Sequence, residues 1–191
     1  MFIQTESTPN PRTLKFLPGR EVLGQGSREF ADSAAAAGSP LALALFAVDG
    51  VERVYLGGDF VTVTKAEAIE WPHLKPHLLA AIMDHYTSGQ PVLLAGGDDA
   101  AGEADITYEG DAAAIVKELK ELIEARVRPA VARDGGDITF HSWDHEAGVV
   151  RLNMRGSCAG CPSSTMTLKQ GIENMLRHYV PEVQAVEQVL D

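Results

Sequence analysis

The run Val149-Val150-Arg151-Leu152-Asn153-Met154-Arg155-Gly156-Ser157-Cys158-Ala159-Gly160-Cys161-Pro162-Ser163-Ser164 decides how the second half of this 191-residue chain folds. Val149 to Met154 is rich in β-branched and apolar residues and reads as a strand. Pro162 is suited to the first position of a helix, and the pattern behind it predicts a helix to about His178. The only two thiols of the chain, Cys158 and Cys161, therefore lie between a strand and a helix N-terminus. Backbone N–H groups are unpaired there and the helix dipole is positive, so both effects favour the thiolate. Arg155 adds positive charge, while Gly156 and Gly160 allow backbone amides to come close to sulfur. Ser157 adjoins the first thiol, and Ser163 or Ser164 is placed to bond a sulfur or cap the helix.

Working upstream, Ile138 to Trp143 forms a second strand, joined to the first by an Asp144–Gly148 turn. Asp134-Gly135-Gly136-Asp137 is a tight turn whose paired glycines supply positive-φ freedom. Ala112 to Val127 carries Ile115, Leu119, Leu122, Ile123 and Val127 on one helical face, with Pro129 ending or bending the helix. Downstream, Val183 to Leu190 is a third strand. Residues 112–191 are thus expected to form a three-stranded sheet packed with two helices.

The first half, residues 1–90, reads as a second small α+β domain. Phe2 to Thr5 and Thr13 to Leu17 are strands around the Thr8-Pro9-Asn10-Pro11 turn. Ser27 is placed to cap a helix through the alanine run to Ala37, and Ser39-Pro40 begins another. Val51 to Leu56 and Phe60 to Thr64 form a hairpin about Gly57-Gly58-Asp59. A last helix spans Trp71 to Ser88.

Between the halves, residues 89–112 hold Asp98, Asp99, Glu103, Asp105, Glu109 and Asp111 with no Lys or Arg. That is over half of a net charge of −11, concentrated in Gly- and Ala-rich sequence. Such a stretch buries too little apolar surface to fold and repels itself, so 91–111 is expected to be a flexible acidic linker. The acidic total disfavours a nucleic-acid surface. The most apolar run, Pro40 to Val48, is too short to span a bilayer. Two cysteines in 191 residues do not make a disulfide scaffold, and the first residues carry neither a basic nor a long apolar leader. The expected setting is cytoplasmic.

Two thiolates cannot close a tetrahedral zinc site or hold a four-cysteine cluster. Three possibilities follow: a second copy supplies two more, other ligands join, or the pair works alone as a dithiol. His73 and His77 share a helical face, but Leu74-Lys75-Pro76 between them lacks the glutamate of a zinc-protease helix, so they read as surface or packing residues. There is no phosphate-cradling loop and no nucleophile elbow, hence no enzyme signature.

The run from Arg151 to Ser164, followed by Thr167-Leu168-Lys169-Gln170-Gly171-Ile172-Glu173, resembles the NifU C-terminal domain of the Nfu family, as does Pro129 with Asp134-Gly135-Gly136-Asp137-Ile138. Thr8-Pro9-Asn10-Pro11, Leu14-Lys15-Phe16, Ser39-Pro40-Leu41-Ala42, Asp59 to Lys65 and Trp71 with Leu74-Lys75-Pro76 resemble the N-terminal Nfu domain. The resemblance implies an iron–sulfur scaffold or carrier rather than an enzyme. It implies a [4Fe–4S] cluster held between two subunits by Cys158 and Cys161 of each, received from an upstream donor and passed to apo-proteins. Larger NifU proteins carry further cysteine-bearing domains, and mitochondrial members begin with a transit peptide. Neither feature is found in this sequence, so a bacterial cytoplasm is expected and primary assembly from iron and sulfide is not. The N-terminal domain, without cysteine, is left with client or partner recognition. A dimeric four-cysteine zinc site remains the main rival. A dithiol oxidoreductase is disfavoured because two consecutive strands precede the motif, where a thioredoxin-like arrangement wants a strand–helix–strand unit.

Overall fold

The computed structural model describes residues 2–94, 106–159 and 162–189, with only the backbone described for 162–165. The chain divides into two compact units, Met1–Ala100 and Ala101–Asp191, each built around its own apolar cluster.

The first unit contains β1 (Gln4–Ser7), β2 (Thr13–Leu17), β3 (Arg28–Phe30), α1 (Pro40–Phe46), β4 (Val51–Leu56), β5 (Val61–Lys65) and α2 (Trp71–Ser88). Its strands form an antiparallel sheet in the order β1-β2-β5-β4-β3. The helices cover one face, burying Leu41, Leu45, Leu74, Leu78 and Ile82 against Phe16, Val54, Leu56, Val61 and Val63. Ser39 caps α1 by accepting from the Ala42 N–H at 3.1 Å, and its hydroxyl donates to the Val92 carbonyl at 2.7 Å. Leu94 N–H also bonds back to Gly38 O at 2.8 Å.

One sequence expectation fails here. No helix starts at Ser27; Arg28 to Phe30 is the edge strand β3, paired with β4. Phe30 is buried in the core, and that burial overrides the local capping signal. The alanine run forms only a short 3₁₀ turn, Ala35–Gly38, begun by Asp32, whose Oδ1 accepts from Ala35 N–H at 2.7 Å.

The second unit runs α3 (Gly110–Leu122), a π-helical turn (Ile123–Val127), α4 (Arg128–Arg133), β6 (Gly136–Asp144), β7 (Val149–Gly156), α5 (Pro162–Tyr179) and β8 (Ala185–Val189). Pro129 does not end the helix. The wide turn before it lets Arg128 N–H reach Ile123 O, five residues back, relieving the crowding that a proline ring imposes on a regular α-turn. The sheet order is β6-β7-β8, with β6 and β7 antiparallel and β7 and β8 parallel. Leu119, Ile123, Val127 and Val131 of the long helix, with Ile172 and Leu176 of α5, bury against Ile138, Val150, Leu152 and Val186 of the sheet. Both units are α+β, as the sequence pattern indicates.

Candidate functional site

The β7–α5 junction holds the thiol turn. Its neighbours across the sheet are fixed by register, with Gly156 opposite Gly136 and Arg155 opposite Asp137. The chain then leaves β7 at Gly156, whose φ of 62° is a conformation suited to glycine. Two tight bonds wind it: Cys158 N–H to Arg155 O at 3.3 Å and Ala159 N–H to Gly156 O at 3.1 Å. Two more fasten it to the turn ahead of β6. Ser157 N–H donates to Gly135 O at 3.2 Å, and Ser157 Oγ donates to Asp134 O at 2.6 Å.

The thiol of Cys158 lies over Gly136. A Cβ added at that glycine would sit 2.5 Å from Cys158 Sγ and 2.9 Å from Arg155 O, so only glycine fits beneath the sulfur. Cys158 is 6% exposed and belongs to the apolar cluster of its unit. The Asp134-Gly135-Gly136-Asp137 turn therefore has two roles. Gly135, at φ 80°, makes the reversal, and Gly136 is the floor under the thiol.

Beneath the turn lies an ion pair. Arg128 at the start of α4 forks onto Asp137, with Nε to Oδ1 at 2.8 Å and Nη2 to Oδ2 at 2.9 Å. Asp137 is 4% exposed, and its Oδ1 also accepts from Ile138 N–H at 2.9 Å. Arg128 reaches Glu124 through Nη1 at 2.7 Å. The Asp137 hydrogen bonds, against the cost of burial, hold the Arg128 guanidinium still more firmly protonated than usual. Sequence reading placed Asp137 in a turn and gave Arg128 no role. An Arg six residues before the Asp-Gly-Gly-Asp run, on a helix the turn folds back against, was the available signal.

Of the expected site residues, Gly156, Ser157 and Cys158 meet in this turn. Gly160 and Cys161 lie outside the described residues. Ser163 and Ser164 fall in the first turn of α5, and their side chains also lie outside the description. His73 and His77 are exposed on α2 and border a hollow with Asp49, Val48 and Ile69, in the other unit. Among the described residues, no three His, Cys, Asp or Glu side chains gather as a metal site. Nor is any described helix long and apolar enough to cross a membrane.

Residues 3–89 match the family described as scaffold protein Nfu/NifU N terminal, and residues 119–187 match the NifU-like domain. This chain belongs to the Nfu/NifU scaffold family. The Nfu chain is 53% identical, over its full length and 67% of the relative, to NifU-like protein 4, mitochondrial, of Arabidopsis thaliana. It is likewise 53% identical over 192 residues, covering 64% of the relative, to the NFU1 iron-sulfur cluster scaffold homolog, mitochondrial, of Drosophila willistoni. It thus spans about two thirds of the length of these relatives. The solution structure of a NifU-like protein from Saccharomyces cerevisiae covers 49% of the Nfu chain and 84% of its own, at 28% identity and a TM-score of 0.45.

Two expectations change with these findings. The cytoplasmic setting is overturned, because both relatives are mitochondrial proteins by name. The topological objection to a dithiol oxidoreductase also falls, since β7, α5 and parallel β8 make a strand–helix–strand unit with Cys158 at its first junction. Family membership, not topology, is what separates the Nfu chain from a thioredoxin-like protein.

Proposed function

We propose that two copies of this chain hold one [4Fe–4S] cluster as cargo, through Cys158 and Cys161 of each, and deliver it to apo-proteins after loading by an upstream donor. The observation that carries this is a mismatch. The chain has two cysteines in all, both in the stretch of sequence between β7 and α5, while a cubane of this type takes four thiolates. A second copy supplies the missing pair without any new residue type. The relatives' names, a scaffold for iron–sulfur clusters among them, support the same reading, and their compartment points to the mitochondrion.

Transfer then requires only ligand exchange. Each iron–cysteine bond that breaks is replaced by one from a client thiolate, the cluster keeps its electrons, and the departing Cys158 or Cys161 takes up a proton as it returns to the thiol. Cys158 returns to its buried place over Gly136 once the cargo has left. The first unit, which has no cysteine, serves partner recognition in this scheme.

Anaerobic reconstitution with iron and sulfide, followed by metal analysis and sizing, tests the proposal. The expected product is a brown dimer with about two irons and two sulfides per chain. Cys158→Ser and Cys161→Ser should each abolish both cluster and cluster-dependent dimer. A colourless protein that retains stoichiometric zinc, or a single mutant that keeps its cluster, would overturn it.

A further inference from the structure

We infer that Arg128 and Asp137 are positioning residues for the cluster-binding thiol of Cys158. They act through the floor of the turn rather than by touching the cargo, and the inference rests on the scaffold reading above. The path is short and continuous. Arg128 holds Asp137 by a two-point fork of 2.8 and 2.9 Å. Asp137 is the second residue of β6, directly after Gly136, and pairs in register with Arg155. Gly136 carries Cys158 Sγ above it, and Gly135 and Asp134 hold Ser157 by its N–H and hydroxyl. The β7 side of the thiol turn is therefore bonded to the four-residue segment that Arg128 fastens to α4.

Chemistry explains why an ion pair suits this place. A fork of two parallel bonds fixes direction as well as distance, so β6 cannot slide or rotate against α4 without losing both. An apolar residue at 137 would bury as well but would leave the start of β6 free to shift. A carboxylate that also accepts the Ile138 N–H ties the strand's own backbone to the helix. Glu124 contributes a third arm on the exposed side of Arg128, where water competes for it. The buried arm to Asp137 holds the turn, and the outer arm to Glu124 is dispensable.

The test is the alkylation rate of Cys158 by iodoacetamide in the full-length apo-protein carrying Cys161→Ser, so that a single thiol reports. At 6% exposure Cys158 reacts only when the turn lifts from Gly136. Asp137→Asn, which keeps the shape but removes the charge, should raise the rate about tenfold or more. Arg128→Lys keeps the charge and loses the fork, and should raise it by a smaller factor. Glu124→Gln should leave it within about twofold. Leu176→Ala supplies the control, since it weakens the same core away from the turn. A rise with Leu176→Ala equal to that with Asp137→Asn would mean that the pair acts only through global stability, and would overturn the inference. So would rates within twofold of the parent for both Asp137→Asn and Arg128→Lys; if Asp137→Asn does not fold, Arg128→Lys decides alone. The readout needs no cluster. Failed reconstitution of the wild-type protein would sink the scaffold reading and leave the positioning result standing, and the converse also holds.

Discussion

Of the three Gly-Gly-Asp runs in the sequence, Gly57-Gly58-Asp59 in the first unit and Gly135-Gly136-Asp137 in the second are used differently. Each turn is a shelf for a neighbouring loop. In the first unit Gly58 O accepts from Val22 N–H at 2.8 Å and Gly24 N–H at 3.0 Å, and a Cβ at Gly58 would sit 2.8 Å from Gly24 O. In the second, Gly135 O accepts from Ser157 N–H, and a Cβ at Gly136 would collide with Cys158 Sγ. The difference lies in the third residue. Asp59 points into solvent, whereas Asp137 is buried and forked by Arg128. A loop that only completes a fold is held by its backbone. The loop that carries the thiol rests on a shelf with a charged anchor beneath it.

Breaking the anchor is the harshest way to test that contrast. Asp137→Ala leaves the Arg128 guanidinium without its buried partner, and should cost the second unit about 3–5 kcal/mol in chemical denaturation. Asp59→Ala, in the matching position of the first unit, should stay within about 0.5 kcal/mol. Equal losses would mean that the two aspartates are not distinguished by burial. The shelves themselves give a milder test. Gly136→Ala and Gly58→Ala each force a methyl group against a backbone carbonyl and should each cost about 1–3 kcal/mol. Only Gly136→Ala should also lower the iron retained after reconstitution and alter Cys158 reactivity. A Gly136→Ala protein with full iron content and an unchanged alkylation rate would remove the floor from the account of the thiol.

Much of this architecture is legible in the sequence, for a reason that can be located. Elements marked by two agreeing signals emerge as read: Ser39-Pro40 sets a cap and a first-turn proline on the same helix, and Gly57-Gly58-Asp59 sits between two alternating strands. Ser27 and the alanines offered one local signal, and Phe30 overrode it because its burial depends on β4, more than twenty residues away. The parallel direction of β8 is likewise a property of the sheet and not of Val183 to Leu190. At the site, the thiols and their glycines announce themselves by type and spacing. The Arg128–Asp137 fork does not, since helix and strand periodicities say nothing about which surface charge will face inward when α4 meets β6. The family match ties residues 3–89 and 119–187 to known scaffolds, but the anchor beneath the thiol is visible only in three dimensions.

The smallest expected effect separates the two units by pH. His85, on α2 of the first unit, is buried, its ring edge-on to Tyr86 at 5.3 Å, and its Nε2 has no hydrogen-bond partner among the described residues. Burial lowers its pKa below the ordinary 6.5. The unfolded chain, with an ordinary imidazole, takes up a proton as pH falls through 6.5, while the folded unit resists until a lower pH. The stabilising contribution of a neutral His85 is therefore complete above 6.5 and declines as pH drops towards the folded value. Between pH 7.5 and 5.5 most carboxylates keep their charge, so the imidazole dominates this window. Each unit holds one tryptophan, Trp71 and Trp143, so Trp143→Phe leaves fluorescence that reports the first unit alone. In that background the urea midpoint should fall on acidification to pH 5.5, and His85→Leu should flatten the change. A midpoint that falls equally with His85→Leu would assign the acid sensitivity to other groups and show that α2 tolerates a charged imidazole at this position.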